Sequence, residues 1–159
     1  MLLFLDVDGT LIPFGGTDPY PRYGPPSPAH PLLSRLDPAL GPRLLALGCE
    51  LTWATTWTDD ANTLLAPWLG LPALPVAYWP DEDEPPAAGV HWKARPLVRL
   101  AAGRPFVWLD DEITDVDHDW VAARHPAPAL LHRVHPARGL RDADLAAVAE
   151  WIAEWIARG

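Results

Sequence analysis

Cysteine is almost absent from this chain: Cys49 stands alone, which excludes an internal disulfide and fits a reducing, cytoplasmic compartment. Its place in an apolar run makes it a core residue before a reactive thiol. No stretch of eighteen apolar residues occurs, so no membrane-spanning helix is expected. The residues before Asp6 carry no basic side chain, which argues against a signal peptide. Positive charge is scarce, with 12 Lys and Arg against 21 Asp and Glu and a net charge of −9. Such a balance opposes binding to a long nucleic acid, yet leaves room for a small phosphorylated ligand, because acids can group around a metal. Lysine is the scarcest charge. Lys93 is the one lysine beside eleven arginines, and a compact ammonium is not interchangeable with a guanidinium.

What is present is a chain of 159 residues, 49% hydrophobic, the size of one domain spanning 1–159. Leu2 to Leu5 form an apolar run fit for a buried strand. It ends in Asp6 and Asp8, which alternate onto one side of a strand, and in Gly9, which lets the backbone turn. Like charges that close repel unless a cation or proton lies between them. Mg²⁺, which takes carboxylates, waters and phosphate oxygens, would relieve the repulsion. A plain strand-to-turn ending explains Asp-Gly as well.

From 13 to 38 the chain is proline-rich and reads as a long loop held by its own Tyr20 and Tyr23. A helix is expected from Asp37-Pro38 to about Leu47, a second strand over Glu50–Thr55, and a helix capped by Thr58 and ending near Pro67. Pro75–Trp79 reads as a third strand and 80–90 as an acidic loop. A helix follows Lys93, with Pro96 near its start. Phe106–Leu109 is the fourth strand, ending in Asp110 and Asp111. A helix over Trp120–Arg124, a fifth strand over Leu130–Val134 and a final helix capped by Asp142 complete the pattern. Strands alternating with helices predict an α/β, three-layer Rossmann-like parallel sheet of about five strands with helices on both faces and no large cap domain. Ligands in such folds gather at the carboxyl ends of the strands, where the acids fall twice.

Asp6-Val-Asp-Gly-Thr-Leu resembles the opening motif of the haloacid dehalogenase (HAD) superfamily of phosphatases and phosphotransferases. Thr55, Lys93 and Asp110-Asp111 with Asp115 then follow in the order of that family's later motifs. The resemblance spans Leu2 to about Asp115. It implies a Mg²⁺-dependent phosphohydrolase in which Asp6 is the nucleophile that forms an aspartyl-phosphate and Asp8 the general acid and base. Mg²⁺ would be held by Asp6, the Asp8 carbonyl and an acid after the fourth strand. Lys93 and a threonine hydroxyl would hold the phosphate. Thr55, which directly ends the apolar run, is preferred to Thr56; Asp111 aligns with the metal-binding acid, with Asp110 close behind, while Asp115 can equally be a capping acid. His91 and His118 read as structural.

The resemblance also departs from many relatives, since neither gap between motifs holds a large cap. An open site implies a larger, nucleotide-like phosphorylated substrate or a second subunit that closes it. The Trp53-Ala-Thr-Thr-Trp57 stretch is similar to a small HAD group associated with RNA-repair proteins, implying a terminal phosphate on nucleic acid, against which the net charge weighs. Trp53, Trp57 and Trp92 flank site positions and are candidates to stack on a ring. The same residues would support phosphotransfer to another acceptor, or a catalytically silent module that binds metal and phosphate.

Overall fold

In a computed structural model, residues 1–25, 27–28, 30–79 and 87–158 are described. Most of the acidic loop expected at 80–90 therefore lies outside the described residues. Four strands, β1 (Leu2–Leu5), β2 (Glu50–Trp53), β3 (Phe106–Asp110) and β4 (Ala129–Arg133), make one parallel sheet in the order β2-β1-β3-β4. All paired strands run parallel, with Leu5 beside Trp53 on one side and Leu109 on the other. The expected strand at Pro75–Trp79 is not one: Val76 makes a lone bridge to Trp53. Trp53 donates to the Pro75 carbonyl and Ala77 to the Trp53 carbonyl, and there the ladder stops. Pro75 has no N–H to extend it.

Alternation along β1 divides the core. Leu3 and Leu5 face one side, packing with Leu40 and Leu44 of α1 (Leu40–Ala46) and with Leu145, Val148 and Ile152 of α5 (Asp142–Arg158). Leu2 and Phe4 face the other, against Ala94, Leu97 and Ala101 of α3 (Ala94–Ala101) and Val121 of α4 (Asp115–Arg124). Every β1 side chain is buried, as a central parallel strand requires. Each such burial is worth roughly 1.5–3 kcal/mol. The sheet is thus covered on both faces, and among the described residues no large cap domain interrupts it. No helix among them is long and apolar enough to cross a membrane.

Several helix ends differ from expectation for local reasons. α1 begins at Leu40, two residues after Pro38, because the Asp37 carboxylate accepts the Ala39 N–H and holds a preceding turn. Pro42 falls in the first turn of α1, where an N–H has no intrahelical partner to lose. Thr58 does not cap a helix; it has φ 48°, and a π-helical turn starts only at Ala61, running through Leu65 into α2 (Ala66–Leu69). Pro67 lies in the first turn of α2 and does not end it; Gly70 does, at φ 65°. α4 starts at Asp115 rather than Trp120, because Thr114 and Asp117 form a reciprocal capping box. At α5 it is Asp144, not Asp142, that accepts the Arg141 N–H; Asp142 pairs with Arg43 instead. Within the proline-rich segment the Tyr23 backbone amide donates to the Ser34 carbonyl, and Arg35 stacks over the Tyr20 ring.

Candidate active site

The chain leaves β1 for β2 on one side and then passes from β2 back across β1 to β3 on the other, so a crevice opens beyond the carboxyl end of β1. Asp6 follows β1 directly and is 5% exposed. The chain then reverses within a few residues: Leu11 and Ile12 donate to the Val7 carbonyl and Gly9 to that of Ile12. Gly9 is needed twice over. Its φ is 77°, and a Cβ there would lie 2.4 Å from Asp111 Oδ2. The turn after β1 is thereby pressed against the acid that follows β3.

Lys93, the residue before α3, reaches into this crevice with 4% of its surface exposed. Its ammonium donates to Asp6 Oδ1 and to Asp110 Oδ2, each at 2.7 Å. Thr10 donates to the other Asp6 oxygen at 3.1 Å. Asp110 is more heavily bonded than Asp6: Oδ2 also accepts the Trp108 indole N–H, and Oδ1 accepts the Glu112 amide. Asp111 accepts no such set of donors, and it lines the open cleft of about 200 Å³ together with Asp6, Asp8, Thr56, Lys93 and Glu112. Phe14 and Trp92, 45% and 39% exposed, stand on the wall of the same cleft.

The charge here does not balance. Oxygens of Asp6, Asp110 and Asp111 lie within 4.8 Å of one another, and one lysine faces all three carboxylates. Burial, with Asp110 adding to it against the pull of Lys93, pushes Asp6 up to about 7. Burial and the neighbouring Asp110 push Asp111 up to about 6. Lys93 is held above its ordinary value, because the attraction of Asp6 and Asp110 outweighs its desolvation. An all-oxygen donor set with surplus negative charge suits a hard divalent cation. The residues present fit an ion of that kind, such as Mg²⁺, and of the three clustered carboxylates Asp6 and Asp111 are the two that line the cleft.

Of the residues singled out from the sequence, Asp6, Asp8, Thr56, Lys93 and Asp111 are brought together on one cleft. Thr55 is not on its wall. It is fully buried, its hydroxyl accepts the Trp57 amide, and its carbonyl accepts the Trp79 indole N–H, so it shapes the turn that presents Thr56. Asp110 sits behind the cleft as the second anchor of Lys93. Asp115 stands exposed at the start of α4, where it complements the helix dipole.

Contributions that sequence pattern alone does not assign come mostly from aromatic and hydroxyl side chains. The Trp57 indole donates to Asp8 Oδ2 at 2.9 Å. His91 packs between Trp92 and Trp108, accepts the Lys93 amide and meets Glu112, and so orients the lysine's backbone. Thr10 lies inside the opening motif, the signal that could have marked it. No family model, curated protein or solved structure matches the chain.

Proposed function

We propose that this chain is a Mg²⁺-dependent, capless HAD-type phosphohydrolase that acts on a phosphate monoester through an aspartyl-phosphate on Asp6. The observation that carries the reading is the convergence of Asp6, Asp8, Thr56, Lys93 and Asp111 on one cleft from segments scattered along the chain. Three of these are buried charges, which a fold keeps together only at a cost. Clusters of perturbed carboxylates in a cleft are where catalysis is expected.

The residues divide the work as follows. An Asp6 oxygen attacks phosphorus while the bond from phosphorus to the ester oxygen breaks, and the Asp8 carboxyl gives its proton to that leaving oxygen. Asp8 then takes a proton from water; the water oxygen bonds to phosphorus, the bond to Asp6 breaks, and phosphate leaves with Asp6 restored as a carboxylate. The Trp57 indole holds Asp8 in place for both proton transfers. Lys93 offsets the equatorial oxygens' charge beside Asp6, and the Thr56 hydroxyl donates to one of them. Mg²⁺, held by Asp6 and Asp111, would supply positive charge to the transferring group. Asp110 keeps Lys93 aimed at Asp6.

An aryl phosphate is the natural probe, because Phe14 and Trp92 offer apolar faces beside the cleft. Turnover is expected with Mg²⁺, none with EDTA, and none in Asp6→Asn, while the circular dichroism of Asp6→Asn stays that of the parent. Asp6→Asn protein that hydrolyses phosphate esters at the parent rate would end this mechanism.

A further inference from the structure

Pro13 and Phe14 stand on two different clefts. Phe14 lines the acidic one, and Pro13 lines a second, of about 80 Å³, on the other side of the segment over 11–14. Its character is the reverse of the first. Arg35, Arg43, Arg138 and Arg141 surround it with only Asp37 and Asp142 among them, a formal +2 in a chain whose net charge is −9. More than a third of the chain's arginines therefore crowd one small depression.

These guanidiniums retain most of their donors. Arg43 spends one on Asp142 at 2.6 Å, Arg35 one on the Pro13 carbonyl, and Arg141 its Nε on the Arg138 carbonyl. Each guanidinium carries five N–H groups in a planar fork that matches an oxyanion. The scaffold beneath them is fixed: Leu140 donates to the Thr10 carbonyl and Phe14 to that of Pro136, tying the turn before α5 to the turn after β1. Arginines gathered this way repel one another unless an anion lies between them. The space available is that of two or three waters, enough to seat one tetrahedral group.

We infer that the arginine cleft is an oxyanion site that takes a single phosphate group, either free inorganic phosphate or the terminal phosphate of a larger molecule. It stands apart from the acidic cleft and does not depend on the activity proposed there. A phosphate dianion cancels the +2 and can be gripped by several forks at once, which a carboxylate cannot match.

Calorimetric titration of the full chain with inorganic phosphate, in EDTA and at constant ionic strength, tests the site. Saturable binding is expected, weakened at least tenfold in the Arg138→Gln/Arg141→Gln double variant, since charge-assisted hydrogen bonds are lost. Arg158→Gln, an exposed arginine at the far end of α5, should bind as the parent does. Both substituted arginines are exposed, so the fold should persist and circular dichroism checks it. A second titration with glycerol 3-phosphate separates the sources: tighter binding than inorganic phosphate points to the terminal phosphate of a larger molecule, weaker or equal binding to the free ion. No saturable binding up to tens of millimolar phosphate, or unchanged affinity in the double variant, overturns the site.

Discussion

Replacing Lys93 with methionine removes the single cation held among the buried carboxylates and leaves nearly everything else in place. Methionine keeps the length of the stem, so packing changes little. What is lost is the bridge from Nζ to Asp6 and Asp110 at 2.7 Å each, between side chains 5%, 7% and 1% exposed. Removing one partner of a buried ion pair costs roughly 3–5 kcal/mol, because the other charge stays buried and unpaired. Here two carboxylates lose the same partner, so the upper part of that range is expected near neutral pH. In a chain of this length each kcal/mol moves the melting temperature by about 2–4 °C, which puts the fall at about 10–20 °C. The loss should shrink in acid. Without Lys93 the folded-state affinity of Asp6 for a proton rises further above its unfolded value. A group shifted that way contributes stability at low pH and loses it as pH rises through the folded pKa. Urea unfolding in EDTA at about pH 5.5 and about pH 8 measures both effects. Adding Asp110→Asn to Lys93→Met removes one stranded charge and should restore part of the stability. A loss below about 1 kcal/mol, the scale of a surface bridge, or an equal loss at both pH values, refutes the charge argument.

The parent protein should itself grow less stable in EDTA as pH rises from 3.8 to about 7, since Asp6 is pushed up to about 7 and Asp111 to about 6 from 3.8; their contribution is complete below 3.8 and has faded once pH passes the two folded values. Mg²⁺ binds the deprotonated acids, so the stabilisation it adds should grow over the same window, and identical urea midpoints with and without Mg²⁺ at high pH would count against the metal site. Gly9→Ala puts a Cβ 2.4 Å from Asp111 Oδ2 at φ 77°; we expect about 1–3 kcal/mol of destabilisation and weakened response to Mg²⁺, both read by thermal unfolding. Thr56→Val should raise KM for the aryl phosphate with stability unchanged, whereas Thr55→Val should cost about 1 kcal/mol by releasing the Trp57 amide.

Much of this arrangement is legible in the amino-acid sequence. Periodicity locates β1 and α5, because a buried parallel strand is apolar throughout and a long surface helix repeats its apolar positions. The two acid-tipped strands lie side by side, an adjacency that the order of elements along the chain does not set. Local pattern fails where backbone donors or distant partners decide. Pro75–Trp79 has the composition of a strand but lacks the N–H that would extend its pairing. The π turn at Ala61–Leu65 carries Asn62, whose amide accepts from Trp53 and Leu74 and donates to Leu74, contacts that no local signal encodes. The choice between Thr55 and Thr56 turns on which way the chain bends after β2, and that depends on a bond between Thr55 and Trp57. Likewise Asp110 and Asp111 are equivalent in sequence, and the indole of Trp108 and the ammonium of Lys93 separate them.

Lys93 is the one lysine in the chain and almost none of it meets solvent. An amine-acylating reagent therefore finds no ε-amino group on the surface of the native protein. The rate at which Lys93 is acylated becomes a clock for the opening of the cleft, readable from the mass of the peptide that carries Lys93 and so apart from the α-amino group at Met1, with no engineered label and no background from other lysines. Ligands that close the cleft slow that clock and openings of α3 away from the sheet quicken it.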